Sequence, residues 1–284
     1  MGKKGEQNMK NLRKLSVLAI VLALVFAFTA CGGSGGDEGS AEDKTIKVAA
    51  SPTPHAEILN SVADKLAEEG WTLEVVEFDD YVQPNVATTD GDVDANYFQH
   101  IPYLTQYNEE NDTELVAVGN VHYEAMGVYK GTKDSFDALE SGDKVGVPND
   151  VTNEARALQL LADNGIITLK EGVGLEATKT DIVDNPKGIE IVELEAATIP
   201  ASLPDLALGV INGNYAMGAG KTADDAVAFE AEDSEAAETM VNVIVVNKGN
   251  EETEKTKALV AAVQSDDVKA FIDEKFGGIV KAKF

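Results

Sequence analysis

Between Asp94 and Leu104 the chain reads DANYFQHIPYL, a short segment dense in side chains able to do chemistry. If it is extended, Phe98 and His100, two positions apart, point to the same side, and Pro102 is placed to begin a helix that carries Tyr103. Three rings then gather at a strand end. A packed aromatic core would account for them, but a core favours Leu or Phe, whereas Phe, His and Tyr together offer an apolar wall with hydrogen-bonding edges. That mixture suits a pocket. The second signal is Arg156, the only arginine beyond Arg13, in a chain that otherwise relies on Lys for positive charge. An ion pair with one of the 50 acidic side chains is its plain structural role; its rarity favours a ligand role.

Signs of catalysis are weak. No GxSxG elbow lies between a predicted strand and helix, and HExxH, P-loop and GxGxxG patterns are missing from the sequence. The three histidines, His55, His100 and His122, lack the close spacing that pairs metal ligands on one helix or strand, although distant residues can converge. The expectation is no enzyme, no cofactor and no metal. Acidic pairs such as Asp79-Asp80 and Glu109-Glu110 read as solvated surface.

The elements that must position these residues alternate. Ile46 to Ala50 and Leu73 to Phe78 read as strands around a helix from Pro54 to Gly70, whose Ile58, Leu59, Val62 and Leu66 share one face. After Gly119 the pattern resumes, with strands over Met126–Tyr129, Lys144–Pro148 and Leu206–Ile211, and a helix over Thr152–Asn164 closed by Gly165. Val241–Val246 is a β-branched strand, and Thr253–Phe276 is helical with a break around Ser265-Asp266-Asp267. This βαβ alternation predicts an α/β fold with mostly parallel sheets and ligands at the carboxyl ends of the strands. Two crossovers, near Asn120–Ala125 and Glu238–Asn242, would divide it into lobes of 45–123 plus 243–284 and of 124–242, with a cleft between them.

A net charge of −27 disfavours a nucleic-acid partner, because phosphates would be repelled. The basic bias sits at the start. Lys10, Arg13 and Lys14 precede an apolar run from Leu15 to Ala30 that is too short to span a bilayer, so residues 1–30 read as a signal peptide, with Met9 an alternative start. The single cysteine, Cys31, follows Phe28-Thr29-Ala30 and resembles a bacterial lipobox, with Phe28 where Leu is usual. Residues 31–44 read as a flexible linker on a lipid anchor, which holds the protein on the extracytoplasmic face of the cell membrane.

With DYVQPN upstream, and PNDVTNEARAL, INGNYA and MVNVIV downstream, DANYFQHIPYL resembles the methionine-binding lipoproteins of the NlpA/MetQ type, which serve ABC methionine importers. The resemblance spans Thr45 to Phe284 and implies a two-lobe, periplasmic-binding-protein-like fold of type II. It also implies a methionine ligand and, as partners, an ABC permease and its ATPase. By matching motifs, Tyr81, Phe98, His100 and Tyr103 enclose the ligand side chain and Arg156 grips the α-carboxylate. Asn212 and Asn242 contact the ligand's backbone groups. Asn214, beside Gly213, is left to turn chemistry, His55 to the cleft rim, and His122 has no role. Val151 and Ala125 stand where the family commonly has Pro, which affects hinge stiffness. Rival readings are the same clamp for another amino acid or a methionine-containing dipeptide, a surface adhesin, and an α/β hydrolase.

Overall fold

The computed structural model describes residues 43–231, 234–276 and 279–284. The leader, Cys31 and the linker through Glu42 lie outside them. Among the described residues no helix is long and apolar enough to cross a membrane.

Short apolar runs form the strands, and the central ones, such as Ala95–His100, Leu208–Ile211 and Asn242–Asn247, are buried on both faces. The first sheet takes β1 (Thr45–Ala50), β2 (Thr72–Glu77), β3 (Ala95–His100) and β4 (Leu115–Glu124), together with β12 (Asn242–Asn247) and β13 (Val280–Ala282). Its order is β13-β4-β12-β3-β1-β2. The second takes β5 (Gly127–Lys130), β6 (Lys144–Pro148), β9 (Glu190–Leu194), β10 (Leu208–Ile211) and β11 (Ala226–Phe229), in the order β11-β5-β10-β6-β9. A small ribbon pairs β7 (Thr168–Leu169) with β8 (Ile182–Asp184). Each large sheet has its own core. Tyr97, Leu59, Ile244 and Ile272 fill the first, and Val145, Leu158, Leu161 and Leu208 the second.

The two sheets share one plan, and it corrects the expectation of mostly parallel pairing. β1 runs parallel to β2 and β3, and β6 parallel to β9 and β10. The strand arriving from the other lobe then inserts antiparallel. β12 lies antiparallel between β3 and β4, and β5 antiparallel between β10 and β11. A chain that crosses between lobes enters the new sheet from the cleft end, so it must run against the strands that point towards the cleft. The first crossover also shifts. β4 continues to Glu124, so only Ala125 and Met126 separate the two sheets, whereas the return path takes residues 230–241.

The helix expected over Pro54–Gly70 is broken. A wide turn over Pro52–Ala56 leads into helices Glu57–Ser61 and Ala63–Glu68, with Val62 (φ −105°, ψ 3°) out of helical geometry between them. The helix Val151–Asp163 starts where Asp150 accepts the Asn153 N–H at 3.1 Å. It ends in a Schellman closure: Gly165 (φ +70°) donates to Ala162 O at 2.9 Å and Ile166 to Leu161 O at 3.0 Å. The C-terminal helical region splits, as its break predicts, into Glu254–Val263 and Asp266–Phe276.

Candidate functional site

The carboxyl ends of β1, β2, β3, β6 and β10 all face the gap between the sheets, where open α/β sheets place ligands. The turn after β1 carries His55, the loop after β2 Tyr81, and the end of β3 His100, which caps the helix Ile101–Asn111 bearing Tyr103. The helix after β6 brings Asn153 and Arg156, and the end of β10 brings Asn212 and Asn214. All of these but His55 line one narrow cavity between the sheets. Tyr81, Phe98, His100, Tyr103, Arg156, Asn212 and Asn242 all line it, joined by Glu124, Asn153, Gly213 and Asn214.

One wall is aromatic. The Tyr81, Phe98 and Tyr103 rings lie 5.9 Å apart in all three pairings, and His100 lies 6.2 Å from Tyr103. Tyr215, unremarked within INGNYA, adds a ring 4.8 Å from Tyr81 and donates to the Asp79 carbonyl at 3.1 Å. Asn214 is not turn chemistry. It lies in the helix Gly213–Gly218, and its Oδ1 accepts from Tyr81 Oη at 2.6 Å, joining the two lobes. Burial pushes the Tyr81 hydroxyl well above its usual range, so it remains a donor.

The floor is a directed hydrogen-bond chain. Tyr103 N–H donates to His100 Nδ1 at 3.2 Å, so the proton of the neutral ring sits on Nε2 and is donated to Asn153 Oδ1, also at 3.2 Å. Burial, with Arg156 nearby, brings the His100 pKa down to about 4. Asn153 Oδ1 accepts again, from Asn212 Nδ2 at 2.8 Å. The chain therefore fixes the Asn212 amide with its oxygen turned the other way, and that buried Oδ1 has no partner. An unmade hydrogen bond of this kind costs about 1–3 kcal/mol.

Arg156 is buried (4% exposed) and is not a free fork. Its Nε and Nη2 donate to the two oxygens of Glu230, each at 2.7 Å, and Nη2 also donates to the Glu124 carbonyl at 2.7 Å. Burial alone would raise the Glu230 carboxyl, but the charge and hydrogen bonds of Arg156 outweigh it and hold the group below its usual range. Glu230 also accepts from Tyr123 Oη and the Met126 N–H.

Beneath the floor, His55 converges on His122 and Glu124, which lie two positions apart on β4. Glu124 Oε1 lies 2.8 Å from His122 Nε2 and 3.3 Å from His55 Nε2, and the two imidazole rings are 4.9 Å apart. His55 is thus fully buried rather than on a rim, with Nε2 2.9 Å from Asn242 Oδ1. Burial lowers the pKa of His55 to about 4 and of His122 to about 3, and raises that of Glu124. The three ligand atoms lie within 4.8 Å of one another, close enough to share a cation, but hydrogen bonds already engage these nitrogens and this oxygen.

The sequence profile of the NlpA lipoproteins matches residues 46–284, nearly all of the described chain. The chain belongs to the NlpA lipoprotein family. Within that family it is 43% identical to the D-methionine-binding lipoprotein MetQ of Salmonella typhimurium, over 94% of this chain and 98% of that one. A nutrient binding protein from Burkholderia cenocepacia, solved bound to methionine, superposes with a TM-score of 0.78 at 41% identity, over 84% of this chain and 100% of the other. An ABC transporter periplasmic substrate-binding protein from Coxiella burnetii gives 0.77 at 35% identity, again over 84% of this chain and 100% of that one.

Proposed function

We propose that this chain is an extracytoplasmic, lipid-anchored binding protein that captures methionine between its two lobes and delivers it to an ABC importer. The observation that carries the reading is the buried, unpartnered Asn212 Oδ1 in an aromatic-walled cavity that Arg156 also lines. A free amino acid supplies what this cavity lacks. Its α-ammonium donates to Asn212 Oδ1 and to Asn242, and its carboxylate meets the Nη1 edge of Arg156, since Nε and Nη2 are held by Glu230. Its thioether lies among Tyr81, Phe98 and Tyr103, where each sulfur–ring contact contributes about 0.3–1.5 kcal/mol. The MetQ relative and the methionine-bound neighbour support this cargo. The Coxiella neighbour supports the partner.

The ligand would touch both lobes at once, so binding favours the closed form over the open one. The closed form then docks on a membrane permease, and an ATPase on the far side powers uptake; nothing in this role requires catalysis. Cys31 would carry the lipid that keeps the protein at the membrane. Isothermal titration of the mature protein against L- and D-methionine, the other amino acids and methionine-containing dipeptides tests the reading. Methionine is expected to bind at micromolar affinity or tighter. Tighter binding of another member of the panel would reassign the cargo, and no binding of any amino acid would sink the proposal.

A further inference from the structure

Glu124 is the least explained group in the cavity wall. Its side chain is 7% exposed, yet among the described residues no Lys or Arg side chain touches its carboxylate. Arg156 reaches only its backbone carbonyl, and the guanidinium charge is already matched by Glu230. One buried guanidinium thus stands near two carboxylates, Glu124 in the wall and Glu230 behind it. The surroundings of Glu124 are built for an anion all the same. His122 Nε2 lies 2.8 Å from Oε1, and with Glu124 ionised this nitrogen carries the ring proton, which leaves Nδ1 to accept from the Tyr97 hydroxyl. His55 Nε2 faces two acceptors, Asn242 Oδ1 and Glu124 Oε1, and therefore also carries a proton. Oε2 lies against Gly213, the neighbour of Asn212. A buried carboxylate served by neutral donors alone is costly, so it either takes up a proton, the direction in which burial moves Glu124, or holds a cation.

We infer that Glu124 is the charge partner of the ligand's α-ammonium, with His55 and His122 as positioning residues that aim its carboxylate. The inference rests on the amino-acid reading above and deepens it: the amino end of the ligand is read by charge. The carboxyl end, whose partner is already neutralised by Glu230, is read mainly by hydrogen bonding. Ligands that keep the ammonium but lose the carboxylate charge should therefore bind better than those that do the reverse.

The test is calorimetric titration of the mature protein with L-methionine, methionine amide and the α-keto acid of methionine. In the wild type the keto acid should bind at least about a hundredfold more weakly than methionine, and the amide should lie between them. Glu124→Gln keeps the shape and should weaken methionine by at least about thirtyfold, with little change for the keto acid. His122→Gln, which can still present an N–H to Glu124, should retain most of the affinity that His122→Leu loses. The inference is overturned if Glu124→Gln binds methionine within about threefold of the wild type. Should that variant not fold, a wild type that binds the keto acid as well as methionine overturns it equally. A wild type that prefers another α-amino compound, lost in Glu124→Gln, would refute the methionine assignment and support this one.

Discussion

At the scale of single residues the pair Arg156–Glu230 ties the fold together and, in the proposed function, also meets the ligand, and mutation can separate the two. Removing Arg156 leaves a carboxylate buried and unpaired, which costs about 3–5 kcal/mol, whereas neutralising both partners can be nearly neutral. Arg156→Ala is therefore expected to lower Tm sharply and abolish methionine binding. The double variant Arg156→Met/Glu230→Gln should recover most of the Tm while binding stays lost. Recovery of both would show that the guanidinium serves the fold alone. This pair also marks how far the site was legible. Arg156 stands out because it is nearly alone of its kind, and Phe98, His100 and Tyr103 because they fall within six positions. Glu230 is one of 50 acidic residues and carries no local mark, so only the fold could single it out. Asn153 lies within PNDVTNEARAL and Tyr215 within INGNYA, but their roles depend on partners across the cleft.

At the scale of elements the helix Gly213–Gly218 meets the first crossover with almost no clearance. A Cβ on Gly213 would lie 2.9 Å from both Glu124 Cβ and Oε2, and 3.2 Å from the Ala125 carbonyl. Gly213→Ala must displace either the Glu124 side chain or the crossover backbone, so we expect methionine affinity to fall by at least about tenfold. Gly218→Ala, with nothing within 4 Å, is the control and should leave affinity unchanged. Equal affinities for the two variants would remove this contact from the site. Most helices and the hydrophobic strands could be read from periodicity and caps, as with Asp150 and Gly165 around Val151–Asp163. The antiparallel insertion of β5 and β12 could not, because strand direction is decided by which sheet the chain enters next. β4 reads poorly as well, since its outer half is only partly buried and its inner half carries His122 and Glu124.

Across the whole molecule, the buried imidazoles tie stability to pH. His55, His100 and His122 have folded pKa values of about 4, 4 and 3, below the ordinary 6.5, so the unfolded chain binds more protons as pH falls beneath 6.5. Their contribution to stability is complete above about pH 6.5 and is lost on acidification towards pH 4. The carboxyls of Glu124, Asp150 and Glu154, raised by burial, oppose part of this loss, while those of Glu230, Asp181 and Asp225, held low by their partners, add to it. Three imidazoles and three lowered carboxyls against three raised ones lead us to expect a Tm that falls steadily from pH 7 to pH 5, and a shallower fall in His122→Gln. A flat profile in the wild type would contradict this account. The unequal crossovers bear on motion rather than stability. A joint of only Ala125 and Met126 offers four backbone torsions and leaves little room for sliding, and the return path is tied down beside it, with Glu230 held by Arg156 and Met240 buried against Tyr123. Any swing of one lobe against the other that the proposed capture requires is therefore expected to be hinged along this strap, like a book opened on a narrow spine.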